Sequence, residues 1–147
     1  FDPYVAPEII QENGGERVNL NTLFSESDYI SLHTPLSPET KHIIDEAALR
    51  KMKQTAILVN TSRGELIDED ALIRALKEGW ILAAGLDVFE KEPLSQNHPL
   101  LRMSNVVLTG HVAWYSKDSV RELQTRAAHE VLRVLSGKTP ISWVNKW

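Results

Sequence analysis

Residues 56–64, Ala-Ile-Leu-Val-Asn-Thr-Ser-Arg-Gly, join four apolar residues to a polar turn. Two of the four are β-branched, which favours a strand over Ala56–Asn60 that ends at the asparagine. The apolar residues are consecutive and do not alternate with polar ones. Such runs are typical of strands covered on both faces, as in a parallel sheet.

Similar short apolar segments occur on both sides of this one, and helical patterns separate them. Strands are predicted over Asp28–His33, Ile81–Val88 and Val106–Thr109. Asp68 can cap a helix that stops at Gly79, and Asp45 can begin a shorter helix that runs through Ala48, Leu49 and Met52. Alternating strands and helices predict an α/β fold with a doubly wound parallel sheet, which is Rossmann-like.

The C-terminal part differs, because residues 116–136 contain no strand signal and form one long helical pattern. Ser119 and Glu122 have the spacing of a capping box, and Gly137 and Pro140 can end the helix. The apolar stripe of this helix consists of Val120, Leu123, Ala127, Val131 and Leu135. A stripe of this width needs cover, and Trp143 and Trp147 add apolar area, so we expect a homodimer.

Composition excludes several classes of protein. The 147 residues carry 16 Lys+Arg against 20 Asp+Glu, a net charge of −4, which disfavours a nucleic-acid surface. No apolar run approaches the roughly 20 residues that span a bilayer, so no membrane partner is expected. The count of 0 Cys excludes disulfides and thiol nucleophiles and fits a reducing compartment. We expect a cytoplasmic globular protein without a metal site.

Polar or ionisable residues follow each predicted strand, and in an open parallel sheet ligands bind at these carboxyl ends. Taken singly, Arg63, Glu92 and His111 each have an ordinary explanation as solvated loop residues. Their joint placement after three strands favours a site. The remaining histidines have no such partners, and no function is assigned to His42, His98 and His129.

Four motifs in order resemble the D-isomer-specific 2-hydroxyacid dehydrogenase family. They are His33–Leu36 with Glu39-Thr40, Asn60–Gly64, Gly85–Phe89 continuing to Glu92-Pro93, and Thr109–His111. Together they extend over nearly the whole chain and are far more specific than a single glycine pattern. The Trp114-Tyr115 pair that comes after His111 resembles the sequence found in the phosphoglycerate-dehydrogenase-like and C-terminal-binding-protein-like branches of the family.

The resemblance implies hydride transfer between NAD and C2 of a small D-2-hydroxy or 2-keto acid. The implied catalytic residues are Arg63, Glu92 and His111, and the implied substrate contacts are Arg63, His111 and Trp114. The implied cofactor contacts are Asp2, His33, Thr34, Thr61, Ser62, Arg63, Asp87, His111 and Ala113. The acidic Asp2, expected to follow a strand, would bind the adenosine ribose and favour NAD over NADP.

The chain departs from the family pattern in two ways, since Gly110 stands where a proline is usual and the G-x-G-x-x-G loop is absent. Residues 1–112 therefore correspond to the C-terminal half of an NAD-binding domain, and residues 113–147 to a helix and tail that return to the substrate domain. We expect the chain to be a fragment that is inactive alone. An NAD-responsive binding module of the corepressor type remains an alternative, as does a purely structural piece.

Overall fold

The computed structural model describes residues 1–141 and 143. They divide into two compact units, one of residues 1–111 and a second that begins at Val112. The helices of the first unit are α1 Pro7–Glu12, α2 Leu20–Glu26, α3 Glu46–Lys51 and α4 Glu69–Glu78. Its strands are β1 Tyr29–Leu32, β2 Ile57–Asn60, β3 Ala83–Leu86 and β4 Val106–Leu108. Short 3-10 helices occupy Gly64–Leu66 and Pro99–Arg102. The second unit contains α5, Lys117–Leu135.

The four strands form one parallel sheet in the order β1-β2-β3-β4. The register aligns Leu32 with Asn60, Asn60 with Leu86, and Leu86 with Leu108. The carboxyl ends of all strands therefore meet at one edge. The predicted α/β fold with a parallel sheet is confirmed, and the strands are one to several residues shorter than the apolar runs that predict them.

Burial of the strand residues alternates, which differs from the expected cover on both faces. Ile30, Leu58 and Leu86 are buried in the core with the apolar sides of α2, α3 and α4. The alternate residues of the two central strands are half-buried, and in the two edge strands Tyr29 and Val107 are 74% and 70% exposed. Within the described residues of Phe1–His111, one face of the sheet therefore carries the packed core and the other face is only partly covered.

Side-chain caps begin α3 and α4 where the sequence predicts them. Asp45 accepts a hydrogen bond from the Ala48 N–H, and Asp68 accepts one from the Ala71 N–H. Helix α4 ends at Gly79, whose φ of 71° lies in the left-handed region that glycine adopts without strain. These local signals place α4 directly after the turn that carries Arg63.

Helix α5 begins one turn earlier than its predicted capping box. Ser116 is the N-cap, and its hydroxyl accepts from the Ser119 N–H while the Ser119 hydroxyl accepts from the Ser116 N–H. Ser119 is thus the third residue of the helix, so the predicted pairing with Glu122 is wrong. The apolar stripe is open, with Leu123 60%, Val131 59% and Leu135 81% exposed. Trp143 is also exposed, whereas Trp147 lies outside the described residues.

Residues 1–141 and 143 contain neither a membrane-spanning helix nor a metal-binding cluster. None of their helices is long and apolar enough to cross a membrane. No group of three or more His, Asp or Glu side chains among them is arranged to hold a metal ion.

Candidate active site

Arg63, Glu92 and His111 line one cleft at the carboxyl edge of the sheet, with a volume of about 230 Å³. Arg63 follows β2, Glu92 lies in the loop after β3, and His111 follows β4. The parallel register brings these loops together although the residues are far apart in sequence. The other lining residues are Gly64, Glu65, Val88, Phe89 and Glu90.

His111 and Glu92 form a hydrogen-bonded pair, with 2.8 Å between His111 Nδ1 and Glu92 Oε2. The backbone of His111 has a φ of 57°, a left-handed conformation that is uncommon for a non-glycine residue and is concentrated at functional sites. A hydrogen bond from the His111 N–H to the Asp87 carbonyl, at 2.8 Å, holds this conformation. The ring is therefore oriented by both its backbone and its carboxylate partner.

The Glu92 carboxylate is held from two sides. Its Oε2 contacts the His111 ring, and its Oε1 accepts a 3.0 Å hydrogen bond from the Phe89 N–H. The hydrogen bond with His111, followed by that from Phe89, lowers the pKa of Glu92 below its ordinary value of 4.5. Glu92 is therefore ionised at neutral and mildly acidic pH, as a partner that orients an imidazole must be.

The lowered pKa of Glu92 predicts how its contribution to stability changes with pH. Because the pKa is lower in the folded than in the unfolded chain, the ionised carboxylate stabilises the fold above the ordinary value of 4.5. That contribution is lost as the pH falls through the folded-state pKa. The melting-temperature advantage of wild type over Glu92→Gln should be present at about pH 5 and decline on further acidification. Thermal melts over this range test it, and an advantage that grows on acidification would contradict it.

The turn that carries Arg63 is organised by Asn60, a fully buried polar residue. The Asn60 side-chain amide donates to the Arg63 carbonyl at 2.8 Å, and its oxygen accepts from the Ser62 N–H at 3.0 Å. The Arg63 guanidinium is exposed and donates from Nη1 to the Ser62 carbonyl at 2.6 Å. No carboxylate in residues 1–141 and 143 lies within ion-pair range of Arg63, so its charge remains available for an anionic ligand.

The candidate cofactor residues of the first two loops lie at the same edge. His33 and Thr34 follow β1, and the His33 ring is hydrogen-bonded to the Ser31 hydroxyl at 2.8 Å. Thr61 and Ser62 follow β2, and the Ser62 hydroxyl donates to the Thr34 carbonyl at 2.9 Å. This contact joins the two loops into one polar rim.

Asp87 is almost fully buried at the end of β3, with 3% exposure. The Thr109 hydroxyl donates to its Oδ1 at 2.5 Å, and its own backbone carbonyl accepts from His111. Asp87 therefore connects the loop after β3 with the loop after β4. Its side chain fixes Thr109, and its backbone carbonyl fixes His111 two residues further on.

Asp2 and the residues after His111 are placed less directly. Only one residue precedes Asp2 in the chain, so the strand expected before it is not part of the structure. Its Oδ1 accepts from the N–H groups of Tyr4 and Val5, which lower the pKa of this carboxyl. Ala113 and Trp114 belong to the second unit, where Trp114 packs edge-on against Tyr115. Their roles stay predictions.

Three residues of the quoted motifs to which the sequence analysis assigned no role also build the site: Asn60, Gly64 and Thr109. A Cβ on Gly64 would overlap with backbone atoms of Phe89 and Glu90, so this glycine allows the Arg63 turn to touch the Glu92 loop. The sequence does contain a signal for Asn60, because a polar residue that ends an apolar strand is expected to be hydrogen-bonded. It contains no signal for the contact of Gly64, because that contact depends on two loops that meet only in the fold.

Comparison with known proteins agrees with this geometry. Residues 1–113 match the family model of the D-isomer specific 2-hydroxyacid dehydrogenase NAD-binding domain. The chain belongs to this family. The resemblance stated from the motifs is confirmed, and the matched domain identifies NAD as the cofactor of the family.

Comparison with individual members of the family shows how much of a whole dehydrogenase this chain covers. The chain is 50% identical over 131 residues to a glyoxylate reductase of Thermofilum pendens, matching 89% of this chain and 39% of that protein. It is 44% identical to a D-3-phosphoglycerate dehydrogenase of Methanocaldococcus jannaschii, over 99% of this chain and 28% of that protein. The chain thus spans well under half the length of these dehydrogenases.

Solved structures of the family have the same fold. The apo structure of D-lactate dehydrogenase from Escherichia coli superposes with a TM-score of 0.87 at 40% identity, covering 98% of this chain and 45% of that one. An NAD-complexed D-isomer specific 2-hydroxyacid dehydrogenase from Lactobacillus delbrueckii superposes at 0.86 and 36% identity, over 98% and 47%. The Rossmann-like assignment is therefore confirmed.

Proposed function

We propose that the chain forms part of an NAD-dependent oxidoreductase that transfers a hydride between nicotinamide and C2 of a small D-2-hydroxy or 2-keto acid. The observation that carries the proposal is the His111–Glu92 pair at 2.8 Å in a cleft that Arg63 also lines. An imidazole, an orienting carboxylate and a guanidinium are the groups that reduction of a keto acid requires.

His111 is proposed as the proton donor to the carbonyl oxygen in reduction and the acceptor of the hydroxyl proton in oxidation. Because Nδ1 is engaged by Glu92, proton exchange with a substrate falls to Nε2. The ionised Glu92 stabilises the imidazolium and keeps the ring in one tautomer. The unprotonated ring and the imidazolium are thus both accommodated without rotation.

Arg63 is proposed to bind the carboxylate and carbonyl of the substrate. Its planar guanidinium donates two parallel hydrogen bonds, which suits two adjacent oxygens. The hydrogen bond from the Asn60 side chain to the Arg63 carbonyl fixes the backbone from which the guanidinium extends. No other Lys or Arg of residues 1–141 and 143 lines this cleft.

The residues at the edge of the sheet fit NAD, which supplies or accepts the hydride at its nicotinamide when bound. The charged Asp2 keeps Oδ2 for the ribose hydroxyls, and its charge disfavours a 2′-phosphate. The rim of His33, Thr34, Thr61 and Ser62 offers hydroxyl and imidazole groups to the rest of the dinucleotide. Asp87 is proposed to act on the nicotinamide side, and Ala113 and Trp114 to contact cofactor and substrate, respectively.

Turnover by the full-length gene product tests the proposal. NADH oxidation is followed with a panel of 2-keto acids, beginning with glyoxylate, because several similar proteins are glyoxylate reductases. We expect turnover with at least one of them and a strong preference for NADH over NADPH. Binding of NAD without turnover of any substrate would instead support the corepressor type of module.

We also propose that this protein forms a homodimer in the cytoplasm and acts without nucleic acid. Support for association comes from the open stripe of α5. Light scattering of the 147-residue chain at micromolar concentration should show a species larger than 16.6 kDa. Leu123→Glu should reduce that mass, whereas Thr125→Glu on the polar side of α5 should leave it unchanged. A monomeric wild-type chain would contradict the association.

A further inference from the structure

His42 lies outside the cleft, yet its backbone is bonded to the segment that carries Arg63. The His42 N–H donates to the Glu65 carbonyl at 2.8 Å. Two residues on, the Ile44 N–H donates to Leu66, and the Ile44 carbonyl accepts from Asp68, both at 3.0 Å. These bonds join the loop after β1 to the chain immediately after Arg63.

The His42 side chain reaches the opposite loop. Its Nε2 lies 2.8 Å from Oε1 of Glu90, two residues before Glu92. A neutral ring with its proton on Nε2 and a charged ring both donate to this carboxylate, so the contact does not depend on protonation. The same Oε1 accepts from the Glu69 N–H at 3.3 Å, and the Glu90 N–H donates to the Glu69 carboxylate at 3.4 Å. Glu90 is thereby anchored to the first turn of α4.

The Glu90 anchor is continuous with the hydrogen bonds that hold Glu92. Phe89, next to Glu90, donates its N–H to Oε1 of Glu92, whose Oε2 holds His111. The peptide group that joins Phe89 to Glu90 packs against Gly64. A displacement of Glu90 would therefore change both the support of Glu92 and the contact with the Arg63 turn.

His42 also has a strained backbone, with a φ of 53°. Left-handed conformations of residues other than glycine cost free energy and persist only where the surrounding structure holds them. Here the bond to Glu65 holds the backbone, and this conformation coincides with the reach of the ring to Glu90. The strain thus accompanies a contact between two loops of the site.

We propose that His42 is a positioning residue whose bond to Glu90 sets the spacing between Arg63 and the Glu92–His111 pair. The inference rests on the proposed function, because the spacing matters only if these three groups act on one substrate. Small displacements of reacting groups have large effects on rate, so the loss should appear in kcat more than in KM.

Two substitutions of His42 separate positioning from folding. Asparagine tolerates the left-handed backbone but is too short to reach Glu90, whereas glutamine places an amide N–H near the position of Nε2. In the full-length gene product, His42→Asn should lower kcat about tenfold, and His42→Gln should recover most of it. In a Glu92→Gln background, His42→Asn should have much less effect, because the group that it positions is already altered.

Amide hydrogen exchange at Phe89 provides a readout that needs no turnover. His42→Asn should speed exchange of this amide about tenfold, and His42→Gln should restore its protection. Lys53→Gln is the matched control, since it removes an ion pair of similar length, 2.9 Å to Asp28, remote from the cleft. It should change neither kcat nor exchange at Phe89.

Either unchanged kcat or unchanged Phe89 exchange in His42→Asn would overturn the inference, as would an equal effect of Lys53→Gln. If the wild-type protein turns over no 2-keto acid, the proposed function fails. The bond from His42 to the Glu92 loop is then decided by the exchange of Phe89 alone: faster exchange in His42→Asn supports it, and unchanged exchange overturns it.

Discussion

Replacing His111 by alanine is expected to lower the kcat of the full-length gene product by at least about 10²-fold. The ring is the only imidazole lining the described part of the cleft, and Glu92 holds it at 2.8 Å in one orientation. Without it, the proton of the reacting oxygen must be exchanged with water. Steady-state kinetics with a keto acid and NADH measure the loss, and KM should change much less than kcat.

The backbone of His111 requires a second variant, because its φ of 57° is unfavourable for alanine. His111→Asn adopts this conformation more readily and still lacks a proton-transferring ring, so it should show a similar loss of kcat, with the melting temperature lowered only by the lost bond to Glu92. His129→Ala, on the exposed surface of α5, is the control and should retain full activity. A near-normal rate in His111→Asn would mean that another group transfers the proton.

Replacing Gly64 by alanine is expected to destabilise the fold by about 1–3 kcal/mol or more and to impair the site. The added methyl group would overlap with backbone atoms of Phe89 and Glu90, and these cannot move aside as the end of a flexible side chain could. The loops that carry Arg63 and Glu92 must then separate. We expect a lower melting temperature together with a fall in kcat/KM of about tenfold or more.

Gly85→Ala is the matched control for this effect. A Cβ at Gly85 would meet only Val59 Cγ2 at 3.8 Å, which is an ordinary contact distance. Where the native backbone is compatible, a Gly→Ala change is neutral or stabilises by about 0.4–1 kcal/mol. Equal melting temperatures for Gly64→Ala and Gly85→Ala would show that the two loops are not in close contact.

The order of the four strands with α3, α4 and α5, and the ends of α3 and α4, were predictable from the sequence because those signals are local, whereas α1 and α2 were not predicted. Asp45, Asp68 and Gly79 act within one helical turn of the residues that they cap. The motif residues Arg63, Glu92 and His111 were likewise recognisable, since each follows a strand. Their meeting at one edge follows from parallel pairing, which the strand–helix alternation implies.

Other features depend on contacts between residues distant in sequence, and only the tertiary structure determined them. The 2.8 Å bond between Glu92 and His111 spans 19 residues, and its geometry depends on the left-handed backbone of His111. His42 looked unpartnered because Glu90 reaches it only in the fold. Local patterns report periodicity and caps, whereas the close approach of two loops, such as Gly64 against the Phe89-Glu90 peptide, arises from packing of the whole unit.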